Sequence, residues 1–174
     1  MLRIAITGNP GIGKSTVVAK AAEKLADKPG FKIGGIRTAE IRKKGQREGF
    51  SIRDLATGKT GVLSSVRGSG QRVGKYHVNL EELEKIGANA LRNALDCDLI
   101  VIDEVGPMEL KSEAFVSAVE KVLESDKPVL AVLHRSSNHQ LAQRMRKEFE
   151  VLMVNEENRD ELPEKIASRF RKMG

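Results

Sequence analysis

Gly8, Asn9, Pro10, Gly11, Ile12, Gly13, Lys14 and Ser15, with Thr16 behind them, form the stretch of this chain with the clearest chemistry. Glycines at these places let a backbone curl so that successive N–H groups point inward, and such a nest holds anions. Lys14 adds a mobile positive charge, and the Ser15 hydroxyl is a hard oxygen of the kind Mg²⁺ prefers. The spacing is G-x-x-x-x-G-K-[ST], the P-loop pattern, whose lysine reaches the β- and γ-phosphates of a nucleoside triphosphate. All nine residues, 8–16, are therefore expected to bind nucleotide, with Lys14 also serving catalysis and Ser15 the metal. On its own the match could mark a Gly-rich turn without a ligand, so its flanking elements matter.

A second constellation is Leu99-Ile100-Val101-Ile102-Asp103-Glu104. Four apolar residues lead into two carboxylates at a strand end, where open α/β sheets bind ligands. Asp103 is expected in the Mg²⁺ shell. Glu104 is expected to orient or deprotonate an attacking water. Taken alone, two acids there would be an ordinary solvated strand end; beside a complete P-loop they read as functional. A third strand end, Val132-Leu133-His134-Arg135, would bring His134 to the γ-phosphate as a sensor. Arg37, at the end of another strand, is the best placed of five arginines around the middle of the chain to meet leaving-group charge. Arg42-Lys43-Lys44 reads as a hairpin tip. His77 and His139 lack metal-ligand spacing and read as structural.

These residues need elements to position them. Residues 2–7 form a short apolar run that stops at Gly8 and predict a buried strand. Residues 14–26 carry Val17, Val18, Ala21, Ala22 and Leu25 at helical spacing. Strand, loop and helix is the context the P-loop requires. Residues 32–38 predict a second strand, and residues 50–55 and 60–63 a hairpin about a turn at residues 56–59. Residues 66–74, with three glycines, read as a mobile loop, and residues 73–78 as a short strand. Asn79 with Glu82 predicts a capped helix to Leu95. Residues 99–102, 128–133 and 151–154 predict strands. Residues 112–124 predict a helix, as do a stretch capped by Ser137 and Gln140 and another capped by Asn158 and Glu161. Continuous apolar strands alternating with helices imply a parallel sheet covered on both faces, with an antiparallel extension from the middle. The whole chain, 1–174, is read as one α/β P-loop domain.

Thirty basic against 24 acidic residues leave a formal charge of +6, which suits polyanionic partners. Five Phe, one Tyr and no Trp offer few stacking platforms, which disfavours single-stranded nucleic acid as a partner. One cysteine, Cys97, excludes an intramolecular disulfide. No apolar run reaches the roughly 20 residues that span a bilayer, and no signal peptide is evident. A cytoplasmic monomer is the expectation. No N-K-x-D or T-K-x-D tetrad reads guanine, which points to relaxed base choice.

On these residues the chain resembles the thermostable nucleoside-triphosphatase family, which includes the cancer-related nucleoside-triphosphatase. The similar stretches are GNPGIGKST at 8–16, GGIRTAEIR at 34–42, GFSIRDLATGKTGVL at 49–63, RVGKYHVN at 72–79, IDEVGPMEL at 102–110 and VLAVLHRS at 129–136. Pro107 departs from the basic residue that the resemblance leads one to expect there. The resemblance implies a RecA-like α/β domain that hydrolyses ATP, GTP and other triphosphates to diphosphates with Mg²⁺. Two other classes share parts of the pattern. A P-loop nucleoside or nucleotide kinase would use the same cradle, but the acidic pair favours water as acceptor. A nucleotide-gated nucleic-acid-binding protein would exploit the basic charge, against the scarcity of aromatics.

Overall fold

The runs read as buried strands are inaccessible along nearly their whole length. Every residue of β1 (Arg3–Thr7) and β8 (Val129–Leu133) is buried, as is β7 (Leu99–Val105) apart from Glu104. The computed structural model describes residues 1–173. The remaining strands are β2 (Ile33–Lys43), β3 (Gln46–Asp54), β4 (Thr60–Ser65), β5 (Arg72–Val73), β6 (Tyr76–Val78) and β9 (Glu150–Met153). The helices are α1 (Lys14–Ala26), α2 (Leu80–Glu82), α3 (Asn89–Asn93), α4 (Glu113–Glu124), α5 (Gln140–Glu148) and α6 (Leu162–Arg171). One nine-stranded sheet runs β5-β6-β4-β3-β2-β7-β8-β1-β9. The five strands from β2 to β9 in that order are parallel, and the rest pair antiparallel. The sheet therefore joins a parallel half to an antiparallel extension, flanked by helices.

Alternation along the parallel strands sorts their side chains into two cores. Ala5, Ile36, Ile100, Ile102 and Ala131 pack under Leu91, Phe115, Val119 and Met145 on one face. Ile4, Ile6, Leu99, Val101, Leu130 and Val132 meet Val17, Val18, Leu25, Ile166 and Phe170 of α1 and α6 on the other. Gly35, at φ +112°, lets β2 and β7 approach: a Cβ there would sit 1.9 Å from the Val101 carbonyl oxygen. At neighbouring Gly34 a Cβ would come within 2.7 Å of the sulfur of buried Cys97.

Several expectations shift. β2 continues five residues past Thr38, because from Ile36 onward it pairs with β3 while its contact with β7 ends at Arg37. The loop read at residues 66–74 closes into strand at Arg72–Val73, which turns through Gly74 and Lys75 onto β6, so the single strand read at 73–78 is a small hairpin. The helix read to Leu95 is composite. α2 runs into a π-helical stretch, Leu83–Ala88, then α3 and a 3₁₀ turn, Ala94–Asp96. Its Asn79 cap holds, accepting from the Glu82 amide at 3.1 Å. α5 is capped by His139, whose Nδ1 accepts from the Leu141 amide at 3.1 Å, while Ser137 serves the preceding turn. Asn158 closes a turn with Asn155, and α6 begins only at Leu162, with Pro163 in its first turn.

Candidate functional site

The loop between β1 and α1 is bent by three glycines with positive φ, of which Gly13, at +108°, is the N-cap of α1. No side chain caps this helix, so its first amides and the positive end of its dipole face outward as an anion site. Lys14 Nζ donates to the Gly8 carbonyl at 2.9 Å, which folds the ammonium over the loop. Asn9 accepts from Arg135, and Arg159 donates to the Ile12 carbonyl at 3.3 Å. Sequence reading gave neither arginine a role, since their proximity to the loop depends on where β8 ends and where α6 begins.

Ser15 and Asp103 meet here. The Ser15 hydroxyl donates to Asp103 Oδ1 at 3.1 Å, although Ser15 lies on α1, which follows β1, and β8 stands between β1 and β7. Asp103 is 1% exposed, and its Oδ2 is buried without a hydrogen-bond partner. Burial raises this carboxyl to about 7, with Glu104 pushing the same way and the Ser15 hydrogen bond opposing. A buried, unpartnered carboxylate oxygen beside a serine hydroxyl is a donor set that fits Mg²⁺. Both acids lie within β7, whereas the sequence put them just past a strand ending at Ile102.

Glu104 is half-buried, and the β7–β8 register shifts between Asp103 and Val105, leaving it out of the ladder. Burial raises its carboxyl; the charges of Lys14 and His134 pull it back. His134 follows β8, and its Nδ1 accepts from the Ser136 amide at 3.3 Å, so a neutral ring carries its proton on Nε2 as a donor. Arg37 sits opposite Asp103 in the β2–β7 register and is exposed, with no ion pair among the described residues.

Glu109 escaped sequence reading. It lies on a 3₁₀ turn, Glu109–Lys111, 3% exposed, and burial followed by the Glu104 charge raises its carboxyl well above the usual range. Gly106 separates the two acids: a Cβ there would lie 2.8 Å from Glu104 Oε1 and 3.3 Å from Glu109 Oε2. A hydrophobic-flanked Glu in a short turn carries no periodic signal, so only the folded chain brings it to the site.

One cleft of about 750 Å³ connects these groups. The loop glycines, Asn9, Pro10, Lys14, Ser15, Thr16, Arg37, Glu104 and His134 all line it; Asp103 reaches it through Ser15. Pro107, where a charge was expected, contributes only an apolar wall. The cleft continues past the acids to Arg47 and Phe50 of β3, Leu63 of β4 and Val73 of β5. His77 and His139 lie apart from it, the latter as a helix cap.

A family profile described as NTPase matches residues 3–167. The nucleoside-triphosphatase THEP1 of Methanosarcina barkeri is 86% identical over 173 residues, 99% of each chain. Its counterpart in Methanosarcina acetivorans is 79% identical, with both chains covered in full. Among solved structures, the crystal structure of THEP1 from the hyperthermophile Aquifex aeolicus aligns with a TM-score of 0.84 at 32% identity, over 97% of this chain and 99% of that one. The solution structure of a human cancer-related nucleoside triphosphatase aligns at 0.83 and 34% identity, over the full length of both.

Proposed function

Since the chain belongs to this NTPase family and hydrolyses nucleoside triphosphates, we propose that it does so by Mg²⁺-assisted attack of water on the γ-phosphate, releasing diphosphate and phosphate. The loop from Gly8 to Thr16 wraps the phosphates, and Lys14 neutralises the β- and γ-oxygens. Ser15 and Asp103 would hold the metal, which when bound would offset negative charge on the phosphates. Glu104 accepts a proton from the attacking water. His134 Nε2 donates to a γ-oxygen. Arg37 supplies positive charge beside Asp103. The observation that carries this reading is the Ser15–Asp103 hydrogen bond with the orphaned Oδ2 behind it, next to a second acid.

Base choice is relaxed in this proposal, since no guanine-reading tetrad occurs. In this proposal the chain works as a cytoplasmic monomer, with nucleic acid a disfavoured partner; among the described residues no helix is long and apolar enough to cross a membrane. The test is phosphate release from ATP, GTP, CTP and UTP, with Mg²⁺ and with EDTA, for the wild type and Lys14→Ala. Turnover of all four only with Mg²⁺, and none by the variant, is expected. Undiminished turnover in EDTA, or by Lys14→Ala, would overturn the assignment.

A further inference from the structure

The cleft is longer than attack by water requires. Beyond Glu104 it runs to Arg47, Phe50, Leu63 and Val73, with Met108 also lining it. Strand order puts β3 two places and β4 three places beyond β7, on the side away from β1. At about 4.8 Å per strand, these walls stand about 10 and 14 Å past the acids. A triphosphate whose γ-phosphate meets Lys14 and Glu104 keeps its β-phosphate over the loop after β1. In an in-line displacement the diphosphate leaves on that side, and the nucleophile arrives from the opposite one. The far half of the cleft is therefore the attacking side, and the nucleoside of the triphosphate does not fill it.

Its walls are not those of a water channel. The guanidinium of Arg47 lies 5.2 Å from the Phe50 ring and 5.5 Å from the Tyr76 ring. Its Nε donates to the Tyr76 hydroxyl at 2.7 Å, and its other arm donates to Glu40 at 3.1 Å. Phe50 meets Tyr76 edge-on at 5.3 Å. A fixed guanidinium over an aromatic and aliphatic floor matches a planar ring with a polar edge.

We propose that this half of the cleft is an acceptor subsite for a small planar heterocycle bearing a hydroxyl group, to which the protein transfers the γ-phosphoryl group in competition with water. The proposal rests on the role given above to Glu104. The acceptor oxygen forms a bond to the γ-phosphorus, and the bond from that phosphorus to the β–γ bridging oxygen breaks. The hydroxyl proton passes to Glu104, and the nucleoside diphosphate leaves. A carboxylate base serves an acceptor that still has a proton to lose, which selects an alcohol over an ionised phosphate monoester.

Nucleosides are the simplest probes of this class. The full chain is incubated with Mg²⁺, ATP labelled on its γ-phosphate, and adenosine, guanosine, cytidine or uridine, and the label is separated into nucleoside monophosphate and free phosphate. Labelled monophosphate from at least one nucleoside is expected. Arg47→Gln and Phe50→Leu should each lower it about tenfold while leaving acceptor-free phosphate release within about twofold. Label found only in free phosphate with all four nucleosides overturns the subsite, as does a monophosphate yield indifferent to both substitutions. Phosphate release stimulated by single-stranded polynucleotide, and lost in the same variants, would assign the walls to a polymer and also overturn it. No phosphate release even in acceptor-free controls would instead refute the hydrolytic reading on which the subsite rests, a separately visible failure.

Discussion

Burial raises the Glu104 carboxyl, and the charges of Lys14 and His134, which line the same cleft, lower it. A carboxylate whose pKa is raised by burial is a stronger base than a free one. Glu104→Gln should therefore bind a Mg²⁺–triphosphate analogue within about threefold of wild type yet turn over about 100- to 10,000-fold more slowly. Equal turnover by the two proteins would remove the residue from the chemistry. Asp103 makes a second prediction. Its carboxyl stands at about 7 in the fold against an ordinary value near 4, so the folded chain favours the protonated form. That contribution is present at low pH and is lost as pH rises from about 4 through about 7. The urea stability of the wild type relative to Asp103→Asn should fall across this window, while Mg²⁺ affinity rises as the ligand ionises. A difference independent of pH would contradict the burial of that charge. The loop was legible because its types and spacing define it, and Asp103 and Glu104 because they close an apolar run in a chain that carries that loop. Glu109 and Arg47 were not, because their place in the cleft depends on a 3₁₀ turn and on hairpin register.

Elements in the parallel half could be read closely, since continuous apolar runs bounded by Gly and Pro leave little ambiguity. The extension was harder. The outer part of β2 is polar and mostly exposed, so its alternation is faint, and β5 and β6 are too short to show a period. The π-helical stretch Leu83–Ala88 keeps a helical pattern in sequence while changing its hydrogen bonds. Where elements touch closely the consequence is sharp. Gly35→Ala would drive a methyl into the Val101 carbonyl in a backbone region that alanine avoids. It should destabilise the protein by about 3 kcal/mol or more. Gly106→Ala should leave the urea midpoint nearly unchanged but lower turnover, because its methyl would displace the Glu104 carboxylate. A midpoint for Gly35→Ala equal to wild type, or full activity in Gly106→Ala, would count against these contacts.

The two cores are separate faces of one sheet, and the site lies where α1 from one face meets β7 at the centre. Ligand bound there should therefore restrain the whole chain. A Mg²⁺–triphosphate analogue at about 100 times its Kd should add about 2.7 kcal/mol, raising Tm by several degrees. EDTA should cancel most of that shift; a shift that survives chelation would argue against metal-assisted phosphate binding. The lone sulfur of Cys97, pressed against the β2 backbone at Gly34 and raised by burial, gives the molecule its own reporter. A thiol reagent reaches it more readily when the seam between β2 and the end of the α3 segment parts. Labelling kinetics with and without nucleotide would then show, with no introduced probe, whether substrate slows breathing on the face of the sheet opposite the one that α1 covers.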